Sequence, residues 1–210
     1  MAQATVFVID DDDAVRDSLT VILSMQDFEV LAFPSAEAFL LNYRPAPVSC
    51  AIVDLRMPGM DGLALLEHMR GKGVMLPVVV VTGHGDVPLA VRAMKAGAID
   101  FIEKPYTNAA LIEAVRKGLD SAGTANLGQV DQHGVKDRLA SLTGRERDVL
   151  RQLVIGHPNK IIAFNLGISP RTVEIHRANV MKKMDAGSLS HLVRLTLAAG
   201  LSGEDASGAR

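Results

Sequence analysis

The chain is poor in cysteine and free of long apolar runs. Its single cysteine, Cys50, cannot form an internal disulfide, which excludes a disulfide-stapled secreted scaffold and suits a reducing cytosol. Cys50 lies within an apolar run, where a thiol reads as a core residue rather than a reactive group. No stretch approaches the ~20 apolar residues of a membrane helix. The N-terminus lacks the basic segment and long apolar run of a secretory signal. No internal repeat is found, which excludes a solenoid or a propeller. The expectation is a cytoplasmic protein with no membrane partner. At 210 residues, 48% hydrophobic and 22% charged, the chain is long enough for two domains of ordinary size.

Each half is short of one sign of charge. Residues 1–120 carry 10 Lys+Arg against 16 Asp+Glu, net −6, whereas residues 121–210 carry 12 against 8, net +4. A basic back half implies a polyanionic partner; on charge alone, DNA, RNA and an acidic protein all remain open. Residues 121–139 place Gly123, Gly128 and Gly134 among small polar residues and read as a flexible linker. The small, polar residues 201–210 read as a disordered tail.

Residues 1–120 alternate apolar runs with helical patterns, and four of the runs end in a chemically capable residue. Val6-Phe7-Val8-Ile9 precedes Asp10-Asp11, Cys50-Ala51-Ile52-Val53 precedes Asp54, Val78-Val79-Val80-Val81 precedes Thr82, and Ile99-Asp100-Phe101-Ile102-Glu103 precedes Lys104-Pro105. With residues 29–33 as a further strand, the pattern predicts an α/β fold, a doubly wound five-stranded parallel sheet in 2-1-3-4-5 order. Asp12 or Asp13, Ser35, Asp61 and Asp86 stand where helix N-caps belong. Ligands of such sheets bind beyond the carboxyl ends of the strands, so three carboxylates, a hydroxyl and an ammonium converge there. Taken singly, Asp10 to Asp13 are equally well explained as first-turn acids, and Lys104-Pro105 as a turn. The complementary set at four strand ends argues for chemistry. Clustered carboxylates repel and call for a cation, and hard oxygen ligands with room for water suit Mg²⁺. Asp54 is then a nucleophile of the kind that forms aspartyl phosphates, with the metal and Lys104 offsetting the charge of the transferred group.

Residues 4–120 resemble the receiver domain of two-component response regulators. The resemblance implies that Asp54 is the phosphoacceptor. It also implies a Mg²⁺ (or Mn²⁺) site made by Asp10, Asp11, Asp54 and the backbone carbonyl of Arg56. Thr82, Phe101, Lys104 and Pro105 correspond to the switch group, with a cis Lys104-Pro105 bond. Arg56 and His84 occupy positions that tune phosphoryl lifetime. The segment Thr82-Gly83-His84-Gly85-Asp86-Val87-Pro88, followed by Ala93-Met94-Lys95-Ala96-Gly97-Ala98, is similar to the FixJ-type subgroup in particular. New hydrogen bonds from Thr82 and Lys104 to a phosphoryl group total ~3–6 kcal/mol at most. Moving an equilibrium from 1:99 to 99:1 takes ~5.5 kcal/mol. Thr82 moving inward vacates space for Phe101, reshaping the surface of residues 87–103 that forms the dimer face in related regulators. Val91 and Lys95 are the expected contacts there.

In the basic half, residues 142–146 (Leu-Thr-Gly-Arg-Glu) open a helix with Thr143 as N-cap and Glu146 at capping-box spacing. Val149, Leu150 and Leu153 form its apolar stripe, and Gly156 ends it. Asn159 is the expected cap of a second helix, with Ile161, Ile162 and Leu166 facing inward, and Ser169-Pro170 opens a third. Two short helices joined by a tight turn read as a helix-turn-helix whose second member enters the DNA major groove. On that helix Val173, Val180 and Met184 keep core spacing, with His176 on the same side. Glu174, Ile175, Ala178 and Asn179 face outward toward base edges: Ile175 suits a thymine methyl, Glu174 a cytosine amine and Asn179 an adenine. Lys160, Arg171, Thr172, Arg177 and Lys182 are placed for phosphates. These features alone also fit a charged helical bundle that binds protein.

Residues 140–200 resemble the LuxR/NarL-type DNA-binding domain through residues 142–146, 159–163 and 168–177. That likeness implies an all-α four-helix helix-turn-helix domain, dimerising on DNA through residues 188–199 with Leu192, Leu195 and Ala199 as contacts. Together the two likenesses imply a response regulator of the FixJ/NarL type. A sensor histidine kinase phosphorylates Asp54, the phosphorylated receiver forms a homodimer, and the basic domain binds double-stranded promoter DNA and recruits RNA polymerase. No enzyme activity is expected beyond self-phosphorylation and self-dephosphorylation. Two rivals stand beside this reading. A Mg²⁺-dependent aspartyl phosphatase would want a second acid where Arg56 stands. A phosphate sink would use its helical half to bind protein.

Overall fold

The computed structural model describes residues 3–83, 87–123 and 132–200. Two compact units make up the chain, one holding the whole sheet and one all-helical. The N-terminal stretch of the chain contains β1 (Thr5–Ile9), α1 (Asp13–Ser24), β2 (Glu29–Phe33), α2 (Ala36–Asn42), β3 (Ser49–Asp54), α3 (Gly62–Gly71), β4 (Val78–Thr82), α4 (Val87–Ala96), β5 (Asp100–Glu103) and α5 (Asn108–Gly123). Its strands lie in the order β2-β1-β3-β4-β5, every pairing parallel, as the alternation of patterns predicts. β1, β3 and β4 are buried along their whole length, which is why they read as unbroken apolar runs. One sheet face packs Val6, Val8, Ile52 and Val79 onto Leu19 and Leu23 of α1 and Leu111 and Val115 of α5. The other carries Phe7, with the rings of Phe33, Phe39 and Tyr43 at 6.4, 5.7 and 5.4 Å. The Asp12, Ser35 and Asp61 side chains cap α1, α2 and α3 as expected. The expected cap Asp86 and the flanking His84 lie outside the described residues.

The second unit contains α6 (Gln132–Ala140), α7 (Gly144–Ile155), α8 (Asn159–Leu166), α9 (Pro170–Lys183) and α10 (Leu189–Ala198). The Thr143–Glu146 capping box forms, and Gly156 and Gly167 close α7 and α8 in the left-handed conformation at φ 99° and 65°. α7 to α10 are the four helices the sequence predicts, packed around Leu150, Leu153, Ile162, Val173 and Val180.

Three expectations are corrected. Residue 158, a proline, holds the N-cap position of α8 with no side-chain bond; the Asn159 amide oxygen instead accepts from Arg177 at 3.0 Å. Ile161 is 44% exposed, because it lies ~100° around the helix from Ile162, beyond the reach of the core. The expected linker 121–139 is helical at both ends, since α5 continues through Gly123 and α6 fills its second half. Polar composition hides α6, whose inward side consists of the fully buried Val135 and the partly buried Leu139. The middle of that segment, 124–131, and the tail 201–210 lie outside the described residues.

Candidate functional site

Asp10 stands directly after β1 and Asp54 ends β3, and both are buried. Lys104, directly after β5, reaches across the strand ends. Its Nζ lies 3.0 Å from Asp54 Oδ1 and 3.2 Å from Asp10 Oδ2. The backbone completes the arrangement: the Arg56 N–H donates to Asp54 Oδ2 at 2.8 Å and the Asp12 N–H to Asp10 Oδ1 at 3.0 Å. Arg16, ion-paired with Asp13, also donates to the Asp10 carbonyl at 2.7 Å. Thr82 ends β4, and its carbonyl accepts the Lys104 backbone N–H at 2.7 Å. Its hydroxyl is buried without a hydrogen-bond partner. A buried polar atom left so costs ~1–3 kcal/mol and points to a group that is supplied during function.

Burial pushes the Asp54 carboxyl above the usual carboxylate range, and the Asp10 charge adds to that, against the opposing pull of Lys104. Burial by itself would lower the Lys104 ammonium, but the Asp54 and Asp10 carboxylates outweigh it and hold it up. The site therefore couples a reluctant carboxylate to a firmly charged cation. Asp11, next in the chain, is exposed, as is Arg56. Phe101 is half-buried and in register with Val80, and the Lys104-Pro105 bond is cis.

Among the described residues no three His, Cys, Asp or Glu side chains form a ready-made metal cage. Mg²⁺ does not need one, since it keeps several waters and uses one or two carboxylates. Among the described residues each oxygen of Asp10 and Asp54 accepts a single hydrogen bond, so a lone pair remains on each for a hard cation. The donor set fits such an ion.

On α4, Lys95 is exposed and Val91 is 0% accessible. Val91 falls at the margin of the buried stripe Ala90, Ala93 and Met94, not with the exposed Arg92 and Lys95. On α9, Arg171, Glu174, Ile175, Ala178, Asn179 and Lys182 are all exposed, as is Lys160 on α8. Two of the expected phosphate contacts are already engaged: the Thr172 hydroxyl pairs with that of Ser169 at 2.8 Å, and Arg177 donates to Asn159. His176 is half-buried, with Nδ1 unpartnered. Leu192 and Leu195 of α10, expected at a dimer face, are 0% and 4% exposed and belong to the core of their own unit. Leu189 of α10 packs against the same core, whereas Leu197 and Ala198 are half-buried. Ala199 is half-buried. The Arg16 contact to the Asp10 carbonyl escapes sequence reading, because a side chain bonded to a backbone oxygen six residues away leaves no motif.

Both halves of the chain match known families. Residues 6–116 match the family of the response regulator receiver domain, and residues 140–196 match the bacterial regulatory proteins of the luxR family. The chain is 48% identical over 200 residues to the transcriptional regulatory protein FixJ of Rhizobium meliloti (strain 1021), covering 95% of this chain and 98% of that one. It is 51% identical to FixJ of Azorhizobium caulinodans, again over 200 residues and 95% of each. The solved structure of full-length FixJ from B. japonicum superposes with a TM-score of 0.56 at 44% identity, covering 96% of this chain and 100% of that one.

Proposed function

The chain belongs to the FixJ-type response regulators, a receiver joined to a LuxR-type DNA-binding domain, and from that premise we propose how its residues carry the signal. It is a phosphorylation-dependent, DNA-binding transcriptional regulator of a two-component system. Asp54 takes the phosphoryl group from a phosphohistidine of a sensor kinase: one carboxylate oxygen bonds to phosphorus as the P–N bond breaks, and the electron pair leaves with the imidazole. The observation that carries this reading is the Lys104 ammonium held between Asp10 and Asp54, beside a buried hydroxyl with no partner.

Receiver domains as a class bind Mg²⁺ at the phosphorylation site. Here Asp10, Asp11, Asp54 and the Arg56 carbonyl would hold Mg²⁺ or Mn²⁺, which supplies charge neutralisation to the entering group. Lys104 exchanges its contact with Asp54 for a phosphoryl oxygen, and the Thr82 hydroxyl donates to another. Phe101 then turns into the space that Thr82 leaves. The reshaped face, with Lys95 exposed on it, forms a homodimer. In the cytoplasm the dimer binds promoter DNA through Glu174, Ile175, Ala178 and Asn179 at base edges, with Lys160, Arg171, Thr172, Arg177 and Lys182 on phosphates, and recruits RNA polymerase. The chain's only covalent chemistry is its own phosphorylation and dephosphorylation.

Incubation with acetyl phosphate and Mg²⁺ tests the first step. Intact mass measurement should show one added phosphoryl group, abolished in Asp54→Ala. An unmodified wild-type chain, or an equally modified variant, would overturn the assignment.

A further inference from the structure

The segment between Asp54 and α3 carries the Arg56 amide and carbonyl, and its position matters to everything that happens at Asp54. Its base is fixed by close packing. The Leu55 N–H donates to the Val81 carbonyl at 3.2 Å, and the Gly62 N–H returns to the Leu55 carbonyl at 3.1 Å. A Cβ at Gly62 would collide with the Asp54 carbonyl oxygen, so the chain passes directly over the phosphoacceptor's own backbone. The tip is held differently. Gly59 turns at φ 76°, a conformation that glycine adopts without strain. The next amide, Met60 N–H, donates to Glu37 Oε1 at 2.8 Å.

Glu37 is set up for this by its own helix. It sits in the first turn of α2, behind the Ser35 N-cap. Its own backbone N–H, the Met60 N–H and the Ser35 hydroxyl hold its carboxyl below the usual range, so it is charged at working pH. A Cβ at Gly59 would stand 2.8 Å from the same Oε1, so the carboxylate lies directly against the turn. A side chain on a helix remote in sequence from Asp54 thus anchors the segment that bears the Arg56 backbone.

We propose that Glu37 is a positioning residue for phosphorylation of Asp54, acting by tethering the 55–61 segment so that the Arg56 carbonyl is preorganised for the divalent cation. The inference rests on the phosphoacceptor reading above. Loss of the tether lets the segment sample other positions, and the cation must then restore order when it binds. The effect falls on cation affinity rather than on the chemical step at saturation.

The test uses the full chain and three variants: Glu37→Ala, Glu37→Gln and Asp54→Ala. Mg²⁺ alone, without phosphoryl donor, is titrated calorimetrically, and Met60 amide hydrogen exchange is followed. Glu37→Ala should weaken Mg²⁺ binding ~3–10-fold, the scale of one solvent-exposed charge-assisted hydrogen bond, and unprotect the Met60 amide. Glu37→Gln keeps an acceptor oxygen and should recover most of the affinity. Phosphorylation by acetyl phosphate should need correspondingly more Mg²⁺ in Glu37→Ala but reach the wild-type rate at saturation. Unchanged Mg²⁺ affinity in a normally folded Glu37→Ala, or Glu37→Gln as impaired as Glu37→Ala, would overturn the tether. Wild type that takes phosphoryl no better than Asp54→Ala would instead overturn the phosphoacceptor reading, and the tether with it.

Discussion

At Asp54 the receiver gives up stability for reactivity. Burial raises the carboxyl above its usual range, so the folded state holds the Asp54 proton more firmly than the unfolded chain does. The sign follows from linkage: folding is favoured at low pH, where the group is neutral in both states, and loses ground as pH rises through and above the ordinary carboxylate range near ~4. Removing the charge should therefore help the fold. In metal-free buffer at neutral pH, Asp54→Asn is expected to gain about 1 kcal/mol, or roughly 2–5 °C in Tm, after allowance for partial solvent access. The gain should fade below about pH 4. Thermal unfolding across that pH range reads it directly, and a destabilised variant at neutral pH would show that Lys104 more than compensates the buried charge. The Thr82 hydroxyl, buried without a hydrogen-bond partner, belongs to the same pattern of polar groups held at a cost at the strand ends.

At the scale of elements, α6 is the part of the molecule whose role changes most between sequence and structure. Val135 is fully buried in the core of the helical unit, and Arg138 donates to the Met184 carbonyl at 3.3 Å at the end of α9. α6 therefore supports the C-terminal end of the helix that exposes Glu174, Ile175 and Asn179. Val135→Asp, which places an unpaired charge in that core, is expected to destabilise the helical unit by about 3 kcal/mol. Hydrogen exchange in the full chain should show lost protection across α7 to α10 and unchanged protection in the sheet. Unaltered protection of α9 would mean that α6 is an appendage. The same element shows where sequence reading stops. Strand order was legible because buried parallel strands announce themselves as apolar runs, and Asp10, Asp54, Thr82 and Lys104 because each stands at a strand end. α6 was not, since it presents only Val135 and Leu139 as a stripe within a glycine-bearing polar stretch. Nor were Leu192 and Leu195 legible as core residues. An apolar residue on an amphipathic helix has the same signature whether it packs within its own chain or against a second copy, and only observed burial separates the two.

At the scale of the whole molecule, the acidic phosphoacceptor half and the basic DNA-binding half divide the work between them, and neither alone is a switch. Their coupling is the central claim. Free energies that link two sites typically change affinity by ~5–150-fold, well within what the Thr82 and Lys104 contacts can supply. The most direct test is fluorescence anisotropy of the full chain on a DNA site selected from a random pool, at fixed salt. It compares the wild type and Asp54→Ala, each with and without acetyl phosphate and Mg²⁺. Phosphorylated wild type should bind at least ~5-fold more tightly than the other three samples. Equal affinity in all four would contradict the account, leaving a DNA-binding protein whose receiver does not govern it.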